Sequence, residues 1–303
     1  MPDSVTVTVP ATTANLGAGF DCIGAALTLY NRFHFQAADT TKINVVGTEA
    51  AGVSVGEDNL LYQAFVRFYE QIQQKTPPVH VEIELGVPLS RGLGSSATAI
   101  IGGFVGANEM AGKPLSDAEV LDLAIALEGH PDNVVPAFLG NCQLSVKTDS
   151  QWHFCPIPWA ENVVPAIAIP DFELSTEAAR AVLPSQIDRG DAIFNISRLG
   201  LLLRGLETAN PDWLTAALDD KIHQPYRQKL IQGYEAVQTA AKAAGAYGLV
   251  ISGAGPTLLA LSAPEQAETV AQAMTKAWGT VDVVAQAQVL AIAPQGVEVR
   301  LGC

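Results

Sequence analysis

The stretch of this chain best able to do chemistry is Pro88, Leu89, Ser90, Arg91, Gly92, Leu93, Gly94, Ser95, Ser96, Ala97 and Thr98. Gly92 and Gly94 let backbone N–H groups come close to an anion. A helix opening after them adds unpaired donors and a positive dipole end. Ser95 and Ser96 offer hydroxyls that donate to a phosphate or coordinate Mg2+. The chemistry implied is phosphate binding, but not by a Walker A loop, because GxxxxGK[ST] occurs nowhere in the chain. A glycine turn before a helix is also an ordinary structural device, and Arg91 reads either as a phosphate contact or as a solvent-facing charge. The segment therefore needs company before it means a site.

Such a loop requires a strand before it and a helix after it. Val79, Val81, Ile83 and Leu85 alternate onto one face of a strand, and Ser95 to about Met110 reads as a helix rich in small residues. Upstream, Ser4–Val9, Cys22–Phe35 and Lys42–Gly47 read as strands. Asp58 is placed to cap a helix with Leu61, Ala64, Phe65, Phe68 and Ile72 at helical period. Ser116 and Glu119 form a capping box for a helix ending near Glu128, with Gly129 as its stop. After a strand near Cys142–Val146, the stretch Trp152–Pro158 is the best candidate for a domain boundary. Beyond it the patterns predict a strand over Val163–Ile169 and helices near Ser175–Leu183, Ala192–Thr208, Pro211–Leu218 and Gln224–Ala243. Strands Leu249–Ser252 and Leu258–Leu261, a helix after Pro264 and a strand within Val281–Val289 complete it. Without a strict βαβ rhythm, the expectation is α+β with two domains, 1–155 and 156–303.

Composition narrows the function. The chain has 303 residues, 17 basic against 31 acidic, for a net charge of −14, with 49% hydrophobic and 16% charged residues. Such a chain buries a sizeable core without disulfides or metals, and its acidity argues against a nucleic-acid partner. Cys22, Cys142, Cys155 and Cys303 are far apart and form no CxxC pair, which argues against a disulfide framework or a zinc cluster. His34, His80, His153 and His223 show no metal spacing. The uncharged run Ala243–Pro264 is long enough to span a bilayer, but Gly245, Gly248, Gly253, Gly255 and Pro256 break it. With no signal peptide visible, the expectation is a soluble cytoplasmic protein with no membrane partner.

Two further segments give the loop its company. Val9-Pro-Ala-Thr-Thr-Ala-Asn-Leu-Gly-Ala-Gly-Phe-Asp21 stands near the N-terminus and Ser252-Gly-Ala-Gly-Pro-Thr257 near the C-terminus. In this order and at these distances, the three segments resemble the motifs of the GHMP kinase superfamily. Glu128-Gly-His-Pro-Asp-Asn133, Thr176-Glu-Ala-Ala-Arg180, Phe194-Asn-Ile-Ser-Arg198 and Pro225-Tyr-Arg227 make its homoserine kinase branch the most similar. The resemblance covers about Val5 to the end. It implies a two-domain fold, the larger N-terminal domain carrying the phosphate loop and helix and the smaller C-terminal one a ferredoxin-like α/β sandwich. It also implies ATP and Mg2+ as cofactors, transfer of a phosphoryl group to the hydroxyl of L-homoserine in threonine biosynthesis, and a homodimer.

Roles carried over by the resemblance are specific. Asn15 and Asp21 line the amino-acid pocket, with Asp21 facing the substrate ammonium, and Arg180 and Arg227 grip its carboxylate as guanidinium forks. His130 and Asn133 belong to the same pocket, Asp132 helps to shape it, and Thr176 lies near the transferred group. Glu128 is the expected Mg2+ ligand, working with Ser95 or Ser96. Gly253, Gly255 and Thr257 support the phosphate loop. One departure from the family pattern is Ser90-Arg91, which replaces small residues before GLGSS; another is that Glu128 lies only two residues before His130, where some members have a longer insert.

Overall fold

The computed structural model describes residues 2–149 and 151–302. The Thr/Val alternation of the N-terminus forms β1 (Ser4–Ala14), with Val5, Val7 and Val9 buried and the intervening residues partly exposed. It pairs antiparallel with β2 (Ile23–Ala37), and the register shifts at Pro10/Ala11, where proline cannot donate to a ladder. Past that irregularity β1 is buried on both faces, because the second half of the protein packs there. β3 (Lys42–Val46) follows, then α1 (Leu60–Gln71), then β4 (Val79–Glu84), which lies parallel to β3 and antiparallel to β2. The cap of α1 is Asn59, whose side chain accepts from the Tyr62 N–H, and not Asp58 as expected. Asp58 instead accepts from the Ser54 hydroxyl.

The phosphate loop leads into α2 (Ser95–Met110), with bounds as expected from the sequence. Its small residues admit close neighbours: a Cβ on Gly102 would stand 2.3 Å from the Phe33 ring and one on Gly106 2.3 Å from the Phe35 ring. α3 (Asp117–Glu128) carries the Ser116/Glu119 capping box and ends at left-handed Gly129. It is followed by α4 (Pro131–Leu139), a helix not expected from the sequence. β5 (Cys142–Lys147) pairs with β2, and β6 (Trp152–Ile157) pairs with β5. The Trp152–Pro158 stretch expected as a boundary thus belongs almost wholly to the first sheet, through β6.

The second sheet opens at β7 (Val164–Pro170). Helices α5 (Thr176–Ala181), α6 (Arg189–Thr208) and α7 (Pro211–Ala217) follow. The single helix expected over Gln224–Ala243 is two, α8 (Gln224–Arg227) and α9 (Tyr234–Ala243). A 3-10 turn at Gln228–Leu230 and Gly233 in the left-handed region (φ 77°) interrupt it. β8 (Gly248–Ile251), β9 (Leu258–Ser262), α10 (Pro264–Gly279) and β10 (Ala285–Val289) complete a four-stranded antiparallel sheet of order β10-β7-β9-β8. Strand, helices, strand, strand, helix, strand is the ferredoxin-like succession. The chain then returns to the first sheet, where β11 (Glu298–Gly302), missed from the sequence, pairs with β1.

The expected α+β class holds. One core lies between the seven-stranded sheet and α1–α4, and another covers the second sheet beneath α9 and α10. A third, including Ala11, Leu16, Leu27, Leu93, Ile167, Leu206 and Leu259, joins the two sheets. No helix among the described residues is long and apolar enough to cross a membrane. Cys22, Cys142 and Cys155 are free thiols, and Cys303 lies outside the described residues.

Candidate active site

The three glycine-containing segments converge on the start of α2. Gly94 is the residue before the helix, left-handed at φ 68°, and no side chain caps the helix there. The leading N–H groups of α2 are therefore available to an anion. Glycine is required by close approach as well as by φ. A Cβ on Gly92 (φ +75°) would stand 2.2 Å from the Ser252 carbonyl oxygen, and one on Gly94 2.0 Å from Thr12 Oγ1. Thr12 ties the first segment to the loop by its N–H to the Leu93 carbonyl (3.0 Å), and its hydroxyl donates to Asn133 Oδ1 (2.8 Å). From the third segment the Gly253 N–H donates to Ala14 (2.9 Å) and the Thr257 N–H to Arg91 (3.2 Å).

In front of the helix lies a cavity of about 240 Å3. The loop end of its lining includes Ser90, Gly92, Gly94, Ser95, Ser96 and Glu128, and the far end Asn15, His130, Asp132, Asn133, Thr176, Arg180, Arg227, Gly253 and Gly255. At the loop end Ser96 Oγ donates to Glu128 Oε1 at 2.9 Å, and burial raises the Glu128 pKa above the usual range. At the far end Arg180 makes a two-pronged ion pair, Nη2 to Asp21 Oδ1 at 2.7 Å and Nη1 to Oδ2 at 3.1 Å. Arg227 is buried, donating from Nε to the Ala179 carbonyl (3.0 Å) and from Nη1 to the Gly253 carbonyl (3.1 Å). Both guanidiniums flank the Phe20 ring, 5.9 and 5.1 Å from its centroid. Burial, and then the neighbouring Arg180, lower the Arg227 pKa.

Local backbone chemistry explains the placement of the smaller polar groups. Asn15 and Asp21 both have positive φ, 62° and 56°, a conformation that short polar side chains tolerate. Asn15 donates to the Gly253 carbonyl (3.0 Å) and accepts from the Asp21 N–H (2.8 Å), which fixes the turn carrying Asp21. His130 precedes α4. Burial, reinforced by Arg180, lowers its pKa, so the ring is neutral at pH 7. Asp132 on the first turn of α4 is pushed up to about 7 by burial, with the Asp21 charge adding to it.

Several sequence expectations need correction. Arg91 does not face solvent: it is buried and held by backbone carbonyls, while lining both the cavity in front of α2 and the one beside Pro88. Its guanidinium donates to the carbonyls of Pro170 (3.1 Å), Leu89 (3.0 Å) and Asp171 (3.1 Å), with Glu173 at 3.3 Å, so it clamps the loop to the end of β7. Leu93, Ala97 and Thr98 are buried outside the cavity lining. Thr98 accepts from Asn31, and Pro88 lines a separate cavity beside Arg91; Leu89 likewise lies outside the lining. Thr257 is buried with its hydroxyl unpaired and does not reach the site. Sequence reasoning missed Phe20 and Thr12. Both sit inside the first motif, but no spacing rule distinguishes an aromatic that supports two arginines from a core one. His223, left as structural, is fully buried and stacks on Phe20 at 5.0 Å.

Comparison with known proteins agrees with this architecture. Residues 59–141 match the GHMP kinases N terminal domain and residues 200–280 the GHMP kinases C terminal. The chain belongs to the GHMP kinases and, as one of them, uses ATP. It is 62% identical over 301 residues to the homoserine kinase of Crocosphaera subtropica, covering 98% of both chains. To that of Thermosynechococcus vestitus it is 62% identical, covering 97% of this chain and 98% of the other. The crystal structure of homoserine kinase from Cytophaga hutchinsonii superposes with a TM-score of 0.88 at 29% identity, covering 99% and 98%. Within the superfamily the chain belongs to the homoserine kinases.

Proposed function

We propose that this site transfers the γ-phosphoryl group of ATP to the side-chain hydroxyl of L-homoserine, yielding ADP and O-phospho-L-homoserine. One observation carries the reading: a single cavity joins the uncapped N-terminus of α2 to Arg180 and Arg227, with Asp21, itself outside the lining, paired to Arg180. The helix end suits a nucleotide phosphate, and the cluster suits a zwitterion, which needs a carboxylate for its ammonium and a cation for its carboxylate.

The Asp21–Arg180 pair leaves donors to spare. Arg180 Nε is buried without a partner, and Arg227 Nη2 makes no hydrogen bond among the described residues. These two point to where the substrate carboxylate is received, while the Asp21 carboxylate takes the ammonium. Asn15 holds the surrounding backbone and Asn133 the Thr12 hydroxyl, and the neutral His130 and Thr176 border the hydroxyl of the substrate. Phosphoryl transfer passes through a loose transition state, so positioning and charge stabilisation contribute most. The N–H groups after Gly94 stabilise charge developing on the phosphates. We assign no dedicated base, because Asp21 is committed to Arg180 and the substrate ammonium.

Glu128 and Ser96 fit an Mg2+ site: a half-buried carboxylate and a hydroxyl facing each other at 2.9 Å are hard oxygen donors. Among the described residues no group of three His, Cys, Asp or Glu could hold a metal by itself, which suits an ion completed by phosphate oxygens and water. Bound there, Mg2+ would neutralise negative charge on the phosphates, and Ser95 would offer it a further hydroxyl. The reading places the reaction in the cytoplasm, where ATP is held, and expects a homodimer. A coupled ADP-release assay with MgATP and L-homoserine, L-serine, mevalonate or galactose tests it. Turnover with L-homoserine alone is expected. Turnover with mevalonate or galactose instead would keep the nucleotide site and discard the pocket assignment.

A further inference from the structure

Phe20 is a half-buried aromatic residue in the turn between β1 and β2, yet it belongs to none of the three hydrophobic cores. It also lies outside the lining of the cavity in front of α2. Its ring meets polar groups instead. The His223 imidazole stacks on it with the planes 19° apart, and the guanidiniums of Arg227 and Arg180 stand 5.1 and 5.9 Å from its centroid. Both distances fall within the about 6 Å over which a cation is drawn to the π-electrons of an aromatic ring.

His223 is held so that the support behind Phe20 stays in place. Its Nε2 lies 3.1 Å from the Gly17 carbonyl oxygen. A carbonyl only accepts, so this nitrogen carries the proton. Burial keeps the imidazole neutral, and it adds no third cation to the two guanidiniums. The buried Asp220 carboxylate fixes the start of α8. It accepts from the N–H groups of Ile222 (3.0 Å), His223 (2.8 Å) and Gln224 (2.6 Å), and Asn195 Nδ2 donates to it at 2.6 Å. Arg227 follows one turn later, its N–H donating to the His223 carbonyl (3.1 Å). Helical spacing thus sets His223 and Arg227 on one side of α8, where Phe20 lies against both.

Two guanidiniums that are to receive one carboxylate must stay close although they repel each other. After burial, Arg180 is the largest influence lowering the Arg227 pKa. Asp21 pairs with Arg180 and, among the described residues, makes no hydrogen bond to Arg227. Phe20 is common to the two arginines. An acidic side chain in its place would neutralise them and compete with an incoming anion. An aromatic ring attracts both cations and leaves both fully charged.

We propose that Phe20 is a positioning residue for carboxylate recognition: its ring, backed by His223, sets the Arg180 and Arg227 guanidiniums for the substrate carboxylate, and so selects L-homoserine over the amino alcohol that lacks one. The assignment rests on the L-homoserine reading above. The test replaces Phe20 in the full chain by mono-, di- and trifluorinated phenylalanine, which weaken the attraction for cations stepwise with little change of shape. KM for L-homoserine should rise with each fluorine, to about tenfold at three, while kcat and KM for MgATP stay unchanged. 3-Aminopropan-1-ol keeps the hydroxyl and the ammonium but has no carboxylate, and its Ki as a competitor of L-homoserine should not move. Phe20→Leu, which fills the space without π-electrons, should show the same split. A KM flat across the fluorinated series, or a Ki that rises in step with KM, overturns the role of Phe20 and leaves the substrate reading standing. A wild type inert towards L-homoserine overturns that reading first, and the role of Phe20 with it.

Discussion

Arg180→Ala separates the catalytic value of the Asp21–Arg180 pair from its structural value. Both side chains are about a third exposed, 34% and 35%, and ion pairs so exposed contribute about 0.2–1 kcal/mol to stability. For a chain this size Tm should fall by no more than about 4 °C. The loss on substrate should be larger. A charge-assisted hydrogen bond to a carboxylate contributes about 1.5–3 kcal/mol, which predicts a fall in kcat/KM for L-homoserine of about 10- to 150-fold at 1.36 kcal/mol per decade. Because the bond forms in the ground state as well, most of the loss should appear as a raised KM. Asp21→Asn should cost a similar factor. The pairing adds a sharper expectation: the double variant should lose less than the product of the single losses, by about 0.5–3 kcal/mol of coupling. Steady-state kinetics of the four proteins, with melting curves beside them, provide the check. Multiplicative losses, or an Arg180→Ala variant with unchanged KM for L-homoserine, would refute the reasoning.

Three other expectations follow from the geometry. Asp132 holds its proton in the folded protein up to about 7 against an ordinary 3.8, so the folded state binds more protons than the unfolded between those values and stability drains away as pH rises through them. Asp132→Asn should therefore gain stability relative to wild type from about pH 4 to 7 and level off above, by up to about 4 kcal/mol; a difference flat with pH in denaturant titrations would contradict it. Gly92→Ala places a Cβ 2.2 Å from the Ser252 carbonyl oxygen and should abolish turnover and lower Tm. Gly112→Ala, with φ +83° but nothing within 4 Å, should cost only about 1–2 kcal/mol of left-handed strain and leave kcat intact. Glu128→Gln should raise the Mg2+ concentration for half-maximal rate by about tenfold or more, measured at saturating ATP; an unchanged Mg2+ requirement would remove Glu128 from the metal site.

Legibility in this sequence follows distance along the chain. The bounds of α2 and α3 were readable because helix starts and stops are made by neighbours: Gly94 before Ser95, the Ser116/Glu119 box, the left-handed Gly129. Even there Asp58 was preferred to Asn59, since both are good caps and only the backbone angles separate them. The break between α8 and α9 escaped the helical pattern because Ile231 and Tyr234 both find core positions, so burial period alone did not register the turn. β11 escaped because a short half-exposed edge strand has almost no pattern of its own.

The site divides the same way. Residue types and motif order alone were enough to indicate a phosphate loop, an arginine pair and an acidic partner. Which group each would touch was decided by tertiary structure. Arg91 is held by Pro170 and Asp171, some 80 residues away, so the sequence around it could only offer solvent or phosphate. Asp21 and Arg180 are 159 positions apart and meet because the core between the two sheets brings the β1–β2 turn against α5. Capping, turn conformation and periodicity act over a few residues and are written locally. The partner of a charge is whichever backbone or side chain the packing of distant elements delivers to it, and that is settled only when the sheets close on each other.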